Sequence, residues 1–265
     1  MAFEGEIKAV NLAVKDAGKA IMAIYQQEDL GVEYKDDESP LTLADKAAHE
    51  VLVVALNALN IGPVLSEEDA DIAWSERSTW NQYWLVDPLD GTKEFIKRNG
   101  EFTVNVALIR DGKAILGSVY APDKDVLYYG VQGVGAFKQV GDGEAQSIKV
   151  TAPPAKEACW KIVGSRSHQS DDFKAFVGAF TQTEIVAMGS SLKLCLVAEG
   201  AADLYPRLGL TSEWDTAAAH AVVEAAGGRV INWETKEDLR YNQKDSLLNP
   251  YFIVCSESSE IWLQN

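Results

Sequence analysis

The chain has 265 residues, of which 47% are hydrophobic and 24% charged, enough for a sizeable core in one large domain or in two lobes. Its 24 basic residues against 40 acidic ones leave a formal charge of −16, which argues against a binder of nucleic acid polymers, because that work needs a basic surface. No run of about 18 apolar residues appears, and residues 1–6 lack the basic and apolar blocks of a signal peptide. The cytoplasm is the expected compartment. Cys159, Cys195 and Cys255 lie far apart with no C-x-x-C, so they are expected to be buried thiols in a reducing environment.

Ile7, Val10, Val14, Ala17, Ile21 and Ile24 recur at three- and four-residue steps, which predicts an amphipathic helix over residues 6–26. A second helix is predicted over 43–59, with Thr42 and Asp45 matching a capping box. The apolar run Tyr83-Trp84-Leu85-Val86 reads as a strand. Phe102, Val104, Val106 and Leu108 then share one face of another, and further strands are predicted at 115–120, 126–129 and 136–140 as an antiparallel meander. From residue 156 strands and helices alternate: strands at 160–163, 183–188, 203–206, 229–231 and 252–255, helices at 171–180, 190–199 and 216–226. Gly141 to Gly143 and Pro153-Pro154 bracket a boundary between an N-terminal α+β lobe, 1–150, and a C-terminal α/β lobe, 151–265.

The most informative stretch is Asp87-Pro88-Leu89-Asp90-Gly91-Thr92. Pro88 has no N–H to give a ladder, so the chain is expected to leave its strand there and aim both carboxylates into one space. Two carboxylates about 4 Å apart would repel by roughly 4 kcal/mol at an effective dielectric of 20, and a cation is the simplest reconciliation. With three histidines and no paired cysteines, zinc is poorly supplied, whereas carboxylates and a carbonyl suit Mg²⁺. Gly91-Thr92 reads as the start of a short helix whose N–H groups can hold a phosphate. Other acidic groups keep plain alternatives at this stage: Glu67 as a solvated loop residue, Asp215 and Asp45 as helix caps. No phosphate-binding P-loop, G-x-G-x-x-G or nucleophile elbow is present.

Taken together, Glu67-Glu68, Asp87-Pro88-Leu89-Asp90-Gly91-Thr92 and Trp214-Asp215-Thr216-Ala217-Ala218 follow, in order, the signature of the lithium-sensitive, Mg²⁺-dependent phosphatases related to inositol monophosphatase. The chain resembles that family over nearly its whole length. Residues 84–109, Ser165-Arg166-Ser167-His168 and Gly189-Ser190-Ser191-Leu192-Lys193 look like its bacterial 3′(2′),5′-bisphosphate nucleotidase branch.

The resemblance implies a mixed α/β fold, a layered αβαβα sandwich. It also implies hydrolysis of the 3′-phosphate of adenosine 3′,5′-bisphosphate to AMP, and possible extension to the corresponding phosphosulfate. By the same resemblance, Glu67, Asp87 and the Leu89 carbonyl hold one Mg²⁺ and Asp87, Asp90 and Asp215 a second, in a site of two or three ions inhibited by Li⁺. Asp45 and Thr92 orient the attacking water, with Glu67 part of the catalytic set. Substrate contacts are implied at Glu67, Leu89, Asp90, Gly91, Thr92 and Asp215 around the phosphate, and at His168, Ser190, Lys193 and Arg207 around the nucleotide. The alternatives are an inositol or sugar phosphatase with the same metal core, and a non-catalytic cation or nucleotide sensor. The sequence leaves open a monomer or a homodimer, and weak peripheral association with the cytoplasmic face of the inner membrane.

Overall fold

The computed structural model describes residues 3–34, 40–164 and 170–257. Helix α1 (Glu4–Tyr25) buries Ile7, Val10, Val14, Ala17 and Ile21 along one stripe, as the periodicity predicts. A short antiparallel pair, β1 (Glu33–Tyr34) and β2 (Pro40–Leu41), was not legible in the sequence. It leads into α2 (Leu43–Ala58), where Thr42 accepts from Ala44 N–H and Asp45 reaches back to Thr42 N–H, the expected capping box. The two helices pack side by side.

Strand β3 (Val64–Ser66) pairs in parallel with β4 (Gln82–Asp90), with the single turn α3 (Trp74–Arg77) between them. After α4 (Thr92–Ile96) come β5 (Thr103–Arg110), β6 (Lys113–Ala121), β7 (Val126–Val131), β8 (Gly135–Val140) and β9 (Gln146–Ile148). Strands β5 to β8 form the predicted antiparallel meander, β9 adds an edge strand that was not predicted, and together they complete a seven-stranded sheet in the order β3 to β9. Both faces of its centre are covered. Trp84, Val86, Val104, Val106 and Leu108 pack with α1 and α2, while Tyr83, Leu85, Ala107 and Ile109 pack with residues from the second half of the chain.

That half runs β10 (Cys159–Gly164), α5 (Asp171–Val177), β11 (Gln182–Ala187), α6 (Leu192–Ala198), β12 (Leu204–Arg207), α7 (Trp214–Ala225), β13 (Arg229–Asn232) and β14 (Phe252–Cys255). Its sheet has the order β11-β10-β12-β14-β13, parallel from β11 to β12 and antiparallel beyond. Helix α7 lies on β5, β6 and β7 of the first sheet, and α6 contacts β10, β12 and β14 of the second. The close seat of α7 depends on two glycines. A Cβ on Gly117 would fall 2.0 Å from Ala218 O, and one on Gly130 would fall 2.7 Å from Val222 Cα. Phe173 and Phe176 of α5 close the far side of the second sheet over Trp160, Ile162, Leu204 and Ile253. The layers are therefore α, β, α, β, α, as the resemblance implies. Cys195 and Cys255 are buried as expected, but Cys159 is exposed, because it opens β10 on the outward phase of the alternation.

Candidate active site at the bulge of β4

Tyr83 and Leu85 of β4 point toward the α7 layer, and alternation puts Asp87 on that face and would put Asp90 on the other. The ladder prevents this outcome. Asp87 pairs with Asn105 and Asp90 with Thr103, so three steps along β4 are matched by two along β5. The extra residue is a β-bulge, which re-aims the side chains after it and brings both carboxylates to one face. Pro88 sits inside the bulge, where no ladder N–H is required. The expected exit from the strand at Pro88 is thus corrected: pairing lapses there and resumes at Asp90. Within the bulge Asp87 Oδ1 accepts from Leu89 N–H at 3.0 Å.

Glu67 follows β3 directly, its N–H donating to Val86 O at 3.1 Å. Asp215 stands in the first turn of α7; the cap itself is Glu213, and Asp215 Oδ2 accepts from Ser212 N–H at 2.8 Å. Carboxylate oxygens of Glu67, Asp87 and Asp215 lie within 4.8 Å of one another. Charges at that separation repel by roughly 3 kcal/mol per pair at an effective dielectric of about 20. Burial, then Glu67 and Asp90, push Asp87 well above the usual carboxylate range. Burial, then Asp90, push Asp215 up to about 8. Asp90 is raised too, chiefly by burial, although Lys193 and Ser191 N–H favour its charged form. An all-oxygen, mutually repelling donor set, with Asp87 buried and Glu67 and Asp215 half-buried, fits a hard divalent cation.

Thr92 opens α4 behind Gly91, whose φ of 91° suits glycine. The Thr92 hydroxyl lies 3.4 Å from Asp45 Oδ1 and 3.3 Å from Leu89 O. Asp45 is buried, also accepts from the Thr42 hydroxyl at 2.6 Å, and is pushed up to about 6, chiefly by burial. Its capping and site positions coexist.

Beside the cluster opens a pocket of about 370 Å³ lined by Asp90, Gly91, Ser190, Lys193, Arg207 and Asp215, among others. Asp90 and Asp215 belong to both the acidic set and this pocket, and Lys193 and Arg207 bring cationic groups to the same wall. Lys193 Nζ stands 5.8 Å from the Tyr205 ring centroid. Arg207 Nη2 donates to Leu210 O at 2.7 Å, and its buried Nε has no partner among the described residues. His168 lies outside the described residues. The structure also brings in Glu101, Thr103, Asn105 and Ser191, which sequence reasoning did not single out. Glu101 accepts from Gly189 N–H at 2.8 Å.

The family model for inositol monophosphatases matches residues 4–261, and the chain belongs to that family. Among curated relatives, the 3′(2′),5′-bisphosphate nucleotidase CysQ of Salmonella typhimurium is 48% identical over 242 residues, covering 91% of this chain and 95% of that one. The protein of the same name from Escherichia coli K12 is equally similar, with the same coverage. Among solved structures, CysQ of Bacteroides thetaiotaomicron superposes with a TM-score of 0.85 at 40% identity, covering 97% of this chain and 99% of that one. Thermotoga maritima IMPase shares the fold, with a TM-score of 0.74 at 24% identity over 95% of this chain and 92% of that one.

Proposed function

We propose that the protein is a metal-dependent 3′(2′),5′-bisphosphate nucleotidase that converts adenosine 3′,5′-bisphosphate to AMP and phosphate, and its phosphosulfate relative to the corresponding adenylyl sulfate. The observation that carries this reading is the shared position of Asp90 and Asp215, in the acidic site and in the wall of a pocket that Lys193 and Arg207 also line. The 48% identity to the bisphosphate nucleotidase of Salmonella typhimurium supports it. The fold and site alone would equally serve an inositol or sugar phosphatase; Lys193 and Arg207 in the pocket lining and that identity favour the nucleotide. No feature favours a non-catalytic sensor, since every carboxylate position is filled.

Glu67, Asp87 and the Leu89 carbonyl would hold one Mg²⁺, and Asp87, Asp90 and Asp215 a second. Bound there, the ions would supply an activated water and charge stabilisation of the leaving ribose oxygen. The chain's own residues then do the rest. Asp45 accepts the Thr92 hydroxyl hydrogen, which turns the Thr92 oxygen lone pair toward the attacking water and fixes its line of approach. The N–H groups following Gly91 face the scissile phosphate. Lys193 and Arg207 bind the 5′-phosphate through charge-assisted bonds. Ser190 completes the nucleotide contacts among the described residues. Two lobes meeting near residue 150 would place metal ligands mainly on the first and nucleotide contacts on the second.

A phosphate-release screen with Mg²⁺ across adenosine 3′,5′-bisphosphate, inositol phosphates and sugar bisphosphates tests the reading. The nucleotide should have the highest kcat/KM, and added Li⁺ should inhibit. Faster hydrolysis of an inositol phosphate would overturn the assignment.

A further inference from the structure

Asp90 is gripped from two elements at once. Its Oδ2 accepts from the backbone N–H of Ser191, at the N-terminus of α6, and lies 3.4 Å from the Thr103 hydroxyl of β5. The Thr103 and Ser191 hydroxyls are 2.9 Å apart, and Ser191 Oγ donates to Asn105 Oδ1 at 2.8 Å. With the Ser191 hydrogen spent on Asn105, the Thr103 hydroxyl is the donor of that pair, its hydrogen shared between Ser191 and Asp90. Asn105 Nδ2 has no hydrogen-bond partner among the described residues. Thr103, Asn105 and Ser191 are at most 2% exposed, so water does not replace a lost partner.

Both donors fall on Oδ2, so Oδ1 is the oxygen that neither of them occupies. The same Ser191 N–H anchors one end of the segment that enters the pocket, and Glu101 anchors the other through Gly189 N–H. Ser190, between the anchors, is held at a φ of 49°, a left-handed conformation that a serine adopts only under constraint.

We propose that Thr103 and Ser191 are positioning residues: they orient the Asp90 carboxylate for a divalent cation and tie it to the pocket segment that carries Ser190 and Lys193. This rests on the two-metal reading of the site above. Its chemistry is that of the outer partners of a metal-ligating carboxylate, whose loss typically weakens metal binding about 10- to 100-fold.

Calorimetric titration of chelator-treated protein with Mn²⁺, without substrate, isolates the effect from turnover. Thr103→Val, which keeps the shape and removes the donor, should weaken Mn²⁺ binding about 10-fold, while Thr103→Ser should bind within about 2-fold of the original. Ser191→Ala keeps the backbone N–H that holds Asp90 and frees the Thr103 hydrogen for it, so it should weaken Mn²⁺ binding less than Thr103→Val does. Should Ser191→Ala fail to fold, the Val and Ser variants at 103 still decide the matter. Equal Mn²⁺ affinity in Thr103→Val and the original, or equal weakening in Thr103→Ser and Thr103→Val, would overturn the positioning role while leaving the phosphatase reading intact. Failure of the original protein to bind Mn²⁺ would overturn both.

Discussion

Asp87 stands across the β4–β5 ladder from Asn105, two residues beyond the Thr103 that faces Asp90. This one-residue mismatch is what puts two carboxylates three apart in sequence on the same face of a sheet. It puts Asp90 in the site rather than on the apolar face that packs with α1 and α2. Asp90→Asn should therefore lower phosphate release by at least about 100-fold, more than the loss of an outer partner costs. The variant should stay folded, because the amide keeps the shape and removes one of the repelling charges. Turnover near the original rate would remove the two-metal account.

Thr92→Val should leave substrate binding nearly intact and lower kcat by about 100-fold or more, the scale of losing an oriented proton acceptor. Steady-state kinetics separates the two parameters. A rise in KM with kcat unchanged would place Thr92 in binding alone.

Removing metal should make stability fall as pH rises. Asp45 and Asp215 have folded-state values of about 6 and about 8 against an ordinary 3.8, so the folded chain holds their protons more tightly than the unfolded chain. Their contribution is fully present below about 3.8 and is lost as pH rises through about 6 and then about 8. Thermal melts of chelator-treated protein should give a lower Tm near pH 8.5 than near pH 5.5, and added Mg²⁺ should stabilise most at the higher pH. A metal-free Tm that rises across this window would contradict the burial of these groups as carboxylates.

Lys193→Met and Arg207→Met should each raise KM for adenosine 3′,5′-bisphosphate by roughly 10- to 100-fold, the worth of one charge-assisted hydrogen bond. A substrate with the 3′-phosphate but no 5′-phosphate should be nearly indifferent to either change. Equal losses on both substrates would move these side chains away from the 5′ end.

Gly117→Ala should destabilise by about 3 kcal/mol, at the upper end of overpacking costs, because its Cβ would meet the Ala218 carbonyl rather than a flexible side chain. Chemical denaturation measures this directly. A neutral outcome would mean that α7 can move off β6 at little cost.

Much of this architecture was legible locally. The stripe of α1, the box at Thr42 and Asp45, and the meander from Thr103 to Val140 each follow from side-chain periodicity or a cap that short-range physics dictates. Asp87, Asp90 and Asp215 were legible as an acidic set through their motifs. What the chain did not reveal depends on pairing between distant strands. The bulge appears only when β4 is set against β5, so Pro88 read as an exit rather than as an extra residue. Thr103 and Asn105 carried a signal that was overlooked: they put two polar groups on the β5 face that Ala107 and Ile109 continue as buried apolar surface, a break in pattern that asks for a polar partner. Ser191 and Glu101 gave no such cue, since their roles require α6 to be docked. The β1–β2 pair is two residues per strand, too short for any period to register.

Asp215 travels with α7, and α7 lies as near the seven-stranded sheet as the missing side chain at position 117 allows. The gap that Asp215 must bridge to reach Asp87 is therefore set by a residue with no chemistry of its own. A bulkier residue at 117 would ask for a longer acid at 215, and a shorter reach at 215 would ask for a still closer helix. The identities of these two positions are one choice made in two places.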